Sequence, residues 1–367
     1  MRHTILAALL LHLLTPDTVM AQSGQPAAAM APAPDWGAVA TAVVLRMQLQ
    51  RGERVLLVGA PGVADALVAP LRAAVTRAGG VDLGAMAAQG ATPDAWGTDF
   101  TRGTSGKSRD ELVTYFGQVD VGVMLPGAAV GDAPYAAMQQ LLRLPSAGTA
   151  RTIHFHWAGA YGLDGELLPT APLVARLYQD VLLFTDYAAL ARRQQEFEHA
   201  LRRAPVRVTT PAGTDLTFSV GDRPVTRQDG DASARRMRDA RNLIDREVEL
   251  PAGVIRVAPL EESVQGTIAF PDGVWAGVPV TGLVMRFRNG VLASYTATSG
   301  AEGVERELQS AGAAGRAFRE FALGFNPRLA IPGEGEAWIP YYGYGAGVVR
   351  LSLGDNTELG GRVGGGY

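Results

Sequence analysis

Short apolar runs alternate with segments of helical spacing in the first half of this 367-residue chain. The runs are rich in apolar and β-branched residues, as expected for strands that are buried on both faces. Strands separated by helices of this length form parallel βαβ units. The pattern therefore predicts an open parallel sheet covered by helices, an α/β unit over residues 37–195. The predicted strands are residues 54–60, 120–125 and 152–157, and the predicted helices are residues 63–77, 134–143 and 173–192.

After residue 195 the runs become shorter, apolar and polar residues alternate within them, and Ala-Gly, Asp-Gly or Asn-Gly pairs separate them. Such pairs favour tight turns between antiparallel strands, most clearly at Asn289-Gly290, which has type I′ turn chemistry. One long helix is predicted over residues 303–321, with Glu320 near its end. Residues 196–367 therefore predict an α+β domain of mainly antiparallel strands. The predicted strands are residues 206–210, 216–220, 254–258, 266–270, 278–288 and 291–297.

The first 36 residues have the composition of an export signal followed by a linker. Residues 1–3 form a short basic region, residues 5–14 are mostly apolar, and Val19-Met20-Ala21 fits a small-x-small cleavage motif. The apolar run is too short to span a membrane as a helix. We therefore predict a signal peptide over residues 1–21, a disordered linker over residues 22–36, and a periplasmic or secreted mature protein.

Composition narrows the possible chemistry. The net charge is only −3 and no basic patch occurs, so we predict neither nucleic acid nor a membrane as a partner. The chain contains no cysteine, which excludes thiol catalysis, iron–sulfur clusters and cysteine zinc sites. Beyond the predicted signal peptide the histidines are His154, His156 and His199, so any imidazole chemistry must use one of these three.

His154 and His156 are the first candidate metal ligands. Residues i and i+2 on a strand point to the same face, so both side chains could bind one metal ion. The alternative is that both are neutral, partly buried histidines with backbone partners.

Three motifs in the second half of the chain occur in the order seen in a known family. They are residues 251–266 (PAGVIRVAPLEESVQG), 319–327 (REFALGFNP) and 347–356 (GVVRLSLGDN). Together with residues 205–230 they resemble the C-terminal domain of the aminopeptidase T family of thermophilic metallo-aminopeptidases. The resemblance covers residues 195–367 and, more loosely, residues 38–190. It implies a two-domain fold of that type and a homodimer formed through the second domain.

The resemblance also implies a site for two divalent metals, but most ligand positions differ. Glu320 matches a carboxylate ligand, whereas Val254 and Arg350 stand where the family has a bridging carboxylate and a ligating histidine. The family's last His-x-Asp pair has no counterpart between Gly361 and Tyr367. By resemblance the metal would be zinc, cobalt or manganese, and the substitutions predict that none is bound tightly.

Arg350 changes the electrostatics of this predicted site. A guanidinium is always protonated, so beside Glu320 it would repel a dication and pair with the carboxylate. We therefore predict an ion pair between Glu320 and Arg350 in place of the metal. The alternative is a shifted register in which Arg350 is a solvated strand residue.

The aromatic segment over residues 338–345 (WIPYYGYG) precedes the strand that carries Arg350. Exposed tyrosines on a loop offer contact surface for a peptide or a ring-shaped ligand, or for a second subunit. Core packing is the remaining alternative. The predicted ligand-binding residues are Arg350, Tyr341, Tyr342, Tyr344 and Asp355.

Two main functional hypotheses follow. The first is an exported metallo-aminopeptidase of the leucyl aminopeptidase type, with an altered site built on Glu320 together with His154 or His156. The second is a non-catalytic periplasmic protein that binds a peptide or a small carboxylate through Arg350 in the former metal cleft. A third hypothesis rests on a resemblance of fold to the iron-dependent dihydroxypyridine dioxygenases.

Overall fold

The computed structural model describes residues 33–155, 172–333 and 338–365. The predicted signal peptide and His156 lie outside these residues. None of the helices in the described ranges is long and apolar enough to cross a membrane. These helices are α1 (Trp36–Met47), α2 (Asp65–Arg77), α3 (Asp99–Arg102), α4 (Arg109–Tyr115), α5 (Ala133–Leu142), α6 (Pro172–Phe184), α7 (Tyr187–Leu201), α8 (Ala234–Met237) and α9 (Ala301–Ser310).

The strands form parallel and antiparallel sheets in different parts of the chain. Those of the first half are β1 (Arg54–Gly59), β2 (Val81–Ala87), β3 (Val121–Met124) and β4 (Arg151–Phe155). Those of the second half are β5 (Val206–Thr209), β6 (Asp215–Phe218), β7 (Val225–Gln228), β8 (Glu247–Leu250), β9 (Val254–Val257), β10 (Gln265–Ala269), β11 (Gly273–Trp275), β12 (Val278–Val280), β13 (Val284–Arg288), β14 (Val291–Thr296), β15 (Phe318–Gly324) and β16 (Val349–Leu353).

The first sheet has the strand order β2-β1-β3-β4-β8, and its pairs are parallel. Every residue of β3 and β4 is buried, because helices cover the sheet and leave no face for solvent. The prediction of a parallel α/β unit is confirmed. Strand β2 is not among the predicted strands, because its glycine and alanines give only a weak apolar run.

Strand β8 comes from the second half of the chain but belongs to the first sheet. It pairs in parallel with β4, so that Ile153 lies opposite Val248 and His154 lies opposite Glu249. Helix α7 in turn spans the predicted boundary at residues 195 and 196. The two halves of the chain therefore meet in the first sheet, and β8 continues almost directly into β9 of the second half.

Two antiparallel sheets make up most of the second half, with orders β14-β13-β10-β6-β5 and β16-β15-β9-β7. Apolar residues of both sheets share one core with helix α9. The prediction of mainly antiparallel strands is confirmed. So is the turn between β13 and β14, where Asn289 (φ 51°) and Gly290 (φ 75°) both adopt positive φ, as a type I′ turn requires.

The predicted helix over residues 303–321 is wrong in its second half. Helix α9 ends at Ser310, and Gly312 follows with φ 65°, a conformation that ends helices. The chain then forms β15, which carries Glu320 between β9 and β16. Pairing with two neighbouring strands supplies the backbone hydrogen bonds that a continued helix would have made, so tertiary context overrides the local helical pattern.

The structure also differs in detail from two further predictions, the helix over residues 173–192 and the disordered linker. The helix is broken into α6 and α7, because the Asp186 side chain caps a new helix by accepting from Ala189 N at 2.9 Å. Regular structure begins inside the predicted linker, since Asp35 caps α1 through Ala38 N at 2.9 Å.

Candidate functional site

Glu320 is the centre of a buried ion cluster. Its side chain is 1% exposed, and its carboxylate accepts hydrogen bonds from two arginines. Oε1 accepts from Arg256 Nε at 2.9 Å and from Arg350 Nη2 at 2.7 Å, while Oε2 accepts from Arg256 Nη2 at 3.0 Å. The predicted pair of Glu320 and Arg350 is thus confirmed. Arg256 is a partner that the sequence analysis missed.

Strand register explains why these three side chains meet. Arg256 on β9 and Arg350 on β16 both lie opposite Ala322 of β15. Glu320 is two residues before Ala322 and therefore points to the same face of the sheet. It lies diagonally from both arginines, a distance that long side chains bridge.

The cluster keeps the Glu320 carboxylate ionised. Burial alone would raise its pKa, but the positive charges of Arg256 and Arg350 hold the pKa well below its ordinary value. Further charges surround it. Arg319 Nη2 is bonded to Glu358 Oε1, Arg256 Nη2 lies 3.9 Å from the same oxygen, and Arg350 Nη1 donates to the Tyr342 carbonyl at 2.8 Å.

A second polar cluster surrounds His154 on the first sheet. Its Nδ1 hydrogen-bonds with the Tyr135 hydroxyl at 2.6 Å, and its Nε2 with Thr152 Oγ1 at 2.8 Å. Two carboxylates of β8 flank the ring: Glu247 Oε1 lies 3.7 Å from Nε2, and Glu249 Oε1 lies 3.9 Å from Nδ1. His154 is 3% exposed, so these groups have little contact with bulk water.

The two carboxyl groups titrate near neutral pH. Burial raises the pKa of Glu247 to about 8, against the opposing hydrogen bond from Gln139. Burial likewise raises the pKa of Glu249 to about 7, although Arg256 opposes the shift. Groups shifted in this way concentrate at functional sites. The signal in the sequence was EVEL at residues 247–250, which places both acids on one face of a strand.

The described residues do not fit a divalent metal. Both oxygens of Glu320 are held by guanidinium groups, and Val254, at which the resemblance implies a bridging carboxylate, is apolar and fully buried. Both ring nitrogens of His154 are bonded to hydroxyl groups. Within residues 33–155, 172–333 and 338–365, no group of three or more acidic or histidine side chains has a geometry that could hold a metal ion. His156 lies outside these ranges.

The expectation of an exposed tyrosine surface is wrong for Tyr341 and Tyr344. They are 0% and 2% exposed, and their rings stack edge to face at 5.3 Å between centroids. The Tyr341 hydroxyl lies 3.1 Å from the Leu250 carbonyl oxygen and 3.4 Å from Glu249 Oε2. Core packing, one of the three alternatives, describes these two residues. Tyr342 is partly buried.

Asp355 lies in a turn after β16. Its Oδ1 accepts from Thr357 N at 2.8 Å and from Thr357 Oγ1 at 2.6 Å. Its Oδ2 accepts from Gly365 N at 3.2 Å. These hydrogen bonds fix the conformation of the loop that contains Asp355. A role of Asp355 in ligand binding stays a prediction.

No known family profile and no curated protein matches the sequence. Among solved structures, the chain is similar to one described as wild-type AmpT from Thermus thermophilus. The sequence identity is 17%, the alignment covers 78% of this chain and 77% of that chain, and the TM-score is 0.48. At this identity and score the likeness is distant and decides nothing about the chemistry of the site.

Substitution of the two arginines should separate their contributions to stability. Arg256→Ala removes two of the three bonds to Glu320 and leaves Oε2 without a partner in the cluster, so it should lower the free energy of unfolding by roughly 3 to 5 kcal/mol, the usual cost of removing one partner of a buried ion pair. Arg350→Ala should cost less, because Arg256 keeps both oxygens bonded. Urea denaturation measures both values.

The matched control for these variants is Arg207→Ala, which breaks the solvent-exposed pair of Arg207 and Asp215. Exposed pairs contribute little, so this variant should unfold close to the wild-type midpoint. An equal decrease in the free energy of unfolding in all three variants would contradict a special contribution of the buried Glu320 cluster to stability.

Glu247 should make the protein less stable as the pH rises. Its folded-state pKa of about 8 exceeds the ordinary value of 4.5, so its stabilising contribution is complete below 4.5 and is lost as the pH rises to about 8. In Glu247→Gln this loss should disappear, which reduces the slope of unfolding free energy against pH by at most about 1.4 kcal/mol per unit. Denaturation at several pH values tests it. Exposed Glu262→Gln is the control and should keep the wild-type slope.

Proposed function

We propose that this chain is an exported, aminopeptidase-like protein that binds a peptide or a small carboxylate and does not hydrolyse peptides through a metal. The observation that carries the proposal is the carboxylate of Glu320, which is bonded by Arg256 and Arg350 at 2.7 to 3.0 Å. The motif resemblance marks Glu320 and Arg350 as metal-ligand positions, so the guanidinium groups take the place of the cations.

The donor set argues against metal-dependent hydrolysis. A hydrolytic metal needs several converging oxygen or nitrogen ligands, which hold its geometry and lower the pKa of its bound water. A dication at Glu320 would have to displace two permanently charged arginines that are each about nine-tenths buried. Those arginines would then lose their counter-charge inside the protein, which costs several kcal/mol per ion.

The charge balance of the cluster favours an acidic ligand. Arg256, Arg319 and Arg350 carry three positive charges against the two negative charges of Glu320 and Glu358, which leaves one positive charge in excess when Glu247 and Glu249 are protonated. Arg319 Nε is also buried and has no hydrogen-bond partner among the described residues. Guanidinium groups bind carboxylates in a planar, bidentate manner, so a ligand carboxylate would match both features.

Hydrolysis assays test the catalytic half of the proposal. Amino-acid amides and short peptides should be cleaved no faster than in buffer, whether zinc, cobalt or manganese is added, because the cluster leaves no carboxylate free for the metal. Release of the N-terminal residue is followed by chromatography. Chelator-sensitive release at about 1 per second or faster would overturn the proposal, since that is an ordinary enzymatic rate.

Calorimetry tests the binding half. A short peptide with a free C-terminal carboxylate should bind at least about tenfold more tightly than its C-terminal amide, a difference of about 1.4 kcal/mol. Arg350→Gln should reduce this preference, because it removes the excess positive charge. Arg207→Gln, which changes an exposed arginine, should retain it. Equal affinity for acid and amide in the wild-type protein would show that the arginines are structural.

A further inference from the structure

A cavity of about 470 Å³ lies beside the Glu320 cluster and shares only Glu358 with it. Its walls come from the end of α5 and the turn after it, from the loop that leads into β8, and from the turn after β16. The size falls within the range of pockets that hold small organic molecules. It is lined by Leu142, Arg143, Leu144, Pro145, Ala240, Arg241, Asn242, Leu243, Arg246, Thr357 and Glu358.

Three arginines line this cavity, and none of them is in an ion pair within the described part of the chain. The side chain of Arg143 is exposed and has no hydrogen bond there. The Arg241 side chain makes one long bond, from Nη2 to the Asp222 carbonyl at 3.4 Å. The Arg246 side chain donates only through Nη1, to the carbonyls of residues 148 and 150 at 2.8 and 3.1 Å.

The acids near these arginines already have other partners. Glu358, the one acidic residue in the lining, is bonded through Oε1 to Arg319, which lies outside the cavity. The neighbouring Asp245 accepts from the Thr226 hydroxyl at 2.7 Å and from the backbone N–H of Arg241 at 2.8 Å. Three arginines and one glutamate therefore give the lining a formal charge of +2.

Two further observations indicate that donors of the cavity lack partners within the described residues. Burial lowers the pKa of Arg246, although Asp245 opposes the shift, as expected for a partly buried cation without a bonded counter-ion. Asn242 Nδ2 is buried and has no hydrogen-bond partner among the described residues, while its Oδ1 accepts from Asp245 N at 2.8 Å. A buried donor of this kind is costly unless something bonds to it.

We propose that this cavity binds a small organic molecule that carries a doubly negative group, a phosphate monoester or a dicarboxylate. Arg143, Arg241 and Arg246 supply the planar donors that such groups accept in pairs. Leu142, Leu144 and Leu243 form an apolar wall for the rest of the molecule. The volume exceeds that of a phosphate ion alone, which is why an organic portion is part of the proposal.

This proposal does not depend on the function proposed above. Its arginines differ from those that hold Glu320, and Glu358 is the one residue common to both regions. Loss of binding here would leave the hydrolysis assay and the preference for peptide carboxylates unaffected. Detected hydrolysis, conversely, would not remove the cavity's positive charge.

The test is calorimetry on the full chain with three probes: phenyl phosphate, phthalate and benzyl alcohol. Phenyl phosphate or phthalate should bind, and neutral benzyl alcohol should bind at least about tenfold more weakly. If only one dianion binds, its group identifies the ligand class. If neither dianion binds the wild-type protein, or if benzyl alcohol binds equally well, the proposal is overturned.

A pair of double variants shows where the anion binds. Arg143→Gln with Arg241→Gln removes two exposed arginines of the lining and should weaken dianion binding at least about tenfold, as expected for lost charge-assisted hydrogen bonds. Arg235→Gln with Arg238→Gln removes the same charge from exposed positions outside the lining and should keep affinity within about twofold. Equal losses of dianion affinity in both double variants would overturn the proposed location, because they would show that only the net charge of the protein matters. Circular dichroism confirms that both remain folded.

Discussion

The constraint on which the second half of the molecule depends is the burial of one carboxylate. Glu320 is 1% exposed, and a bare charge at such a position is too costly for a protein to tolerate. Its two guanidinium partners come from strands on either side of β15, so β9, β15 and β16 must keep their register for the charge to be balanced. A shift of one residue would turn Glu320 to the other face of the sheet, away from both arginines. The ion cluster therefore specifies the sheet that contains it.

The return of β8 to the first sheet connects this cluster with the histidine. Glu249 lies beside His154 and is also within electrostatic range of Arg256 and Arg350, which oppose the effect of burial on its pKa. Tyr341 is also buried, with its hydroxyl 3.4 Å from Glu249 Oε2. Protonation of Glu249 and the charge of the arginine cluster are therefore coupled. A ligand that brings one negative charge to the arginines would raise the pKa of Glu249 and favour proton uptake.

Most of the fold could be predicted because its signals are local. The strand periodicity of both halves and the Asn289-Gly290 turn depend on neighbouring residues alone, and the structure confirms them. The predicted helix over residues 303–321 is wrong beyond Ser310, where α9 ends. After Gly312, pairing of β15 with β9 and β16 determines the conformation, and that pairing is not visible in the local sequence. The expected exposure of Tyr341 and Tyr344 is wrong for a related reason. Aromatic residues between glycines suit an exposed loop or a core equally well, and only the packing around Tyr341 and Tyr344 decides between them.

The sequence by itself predicted that Glu320 would pair with Arg350, since a carboxylate and a permanently charged guanidinium attract each other. The tertiary structure alone decided the second partner, because Arg256 is 64 residues away from Glu320 and meets it only across paired strands. It also decided that the acids of β8 lie beside His154. That contact requires β8 to pair with β4, a strand of the first half of the chain that is distant from it in sequence. Near-neutral carboxyl groups follow from this placement. Their pKa values depend on how completely the surrounding chain excludes water. The local sequence cannot determine this, because the residues that bury the two carboxyl groups come from distant parts of the chain.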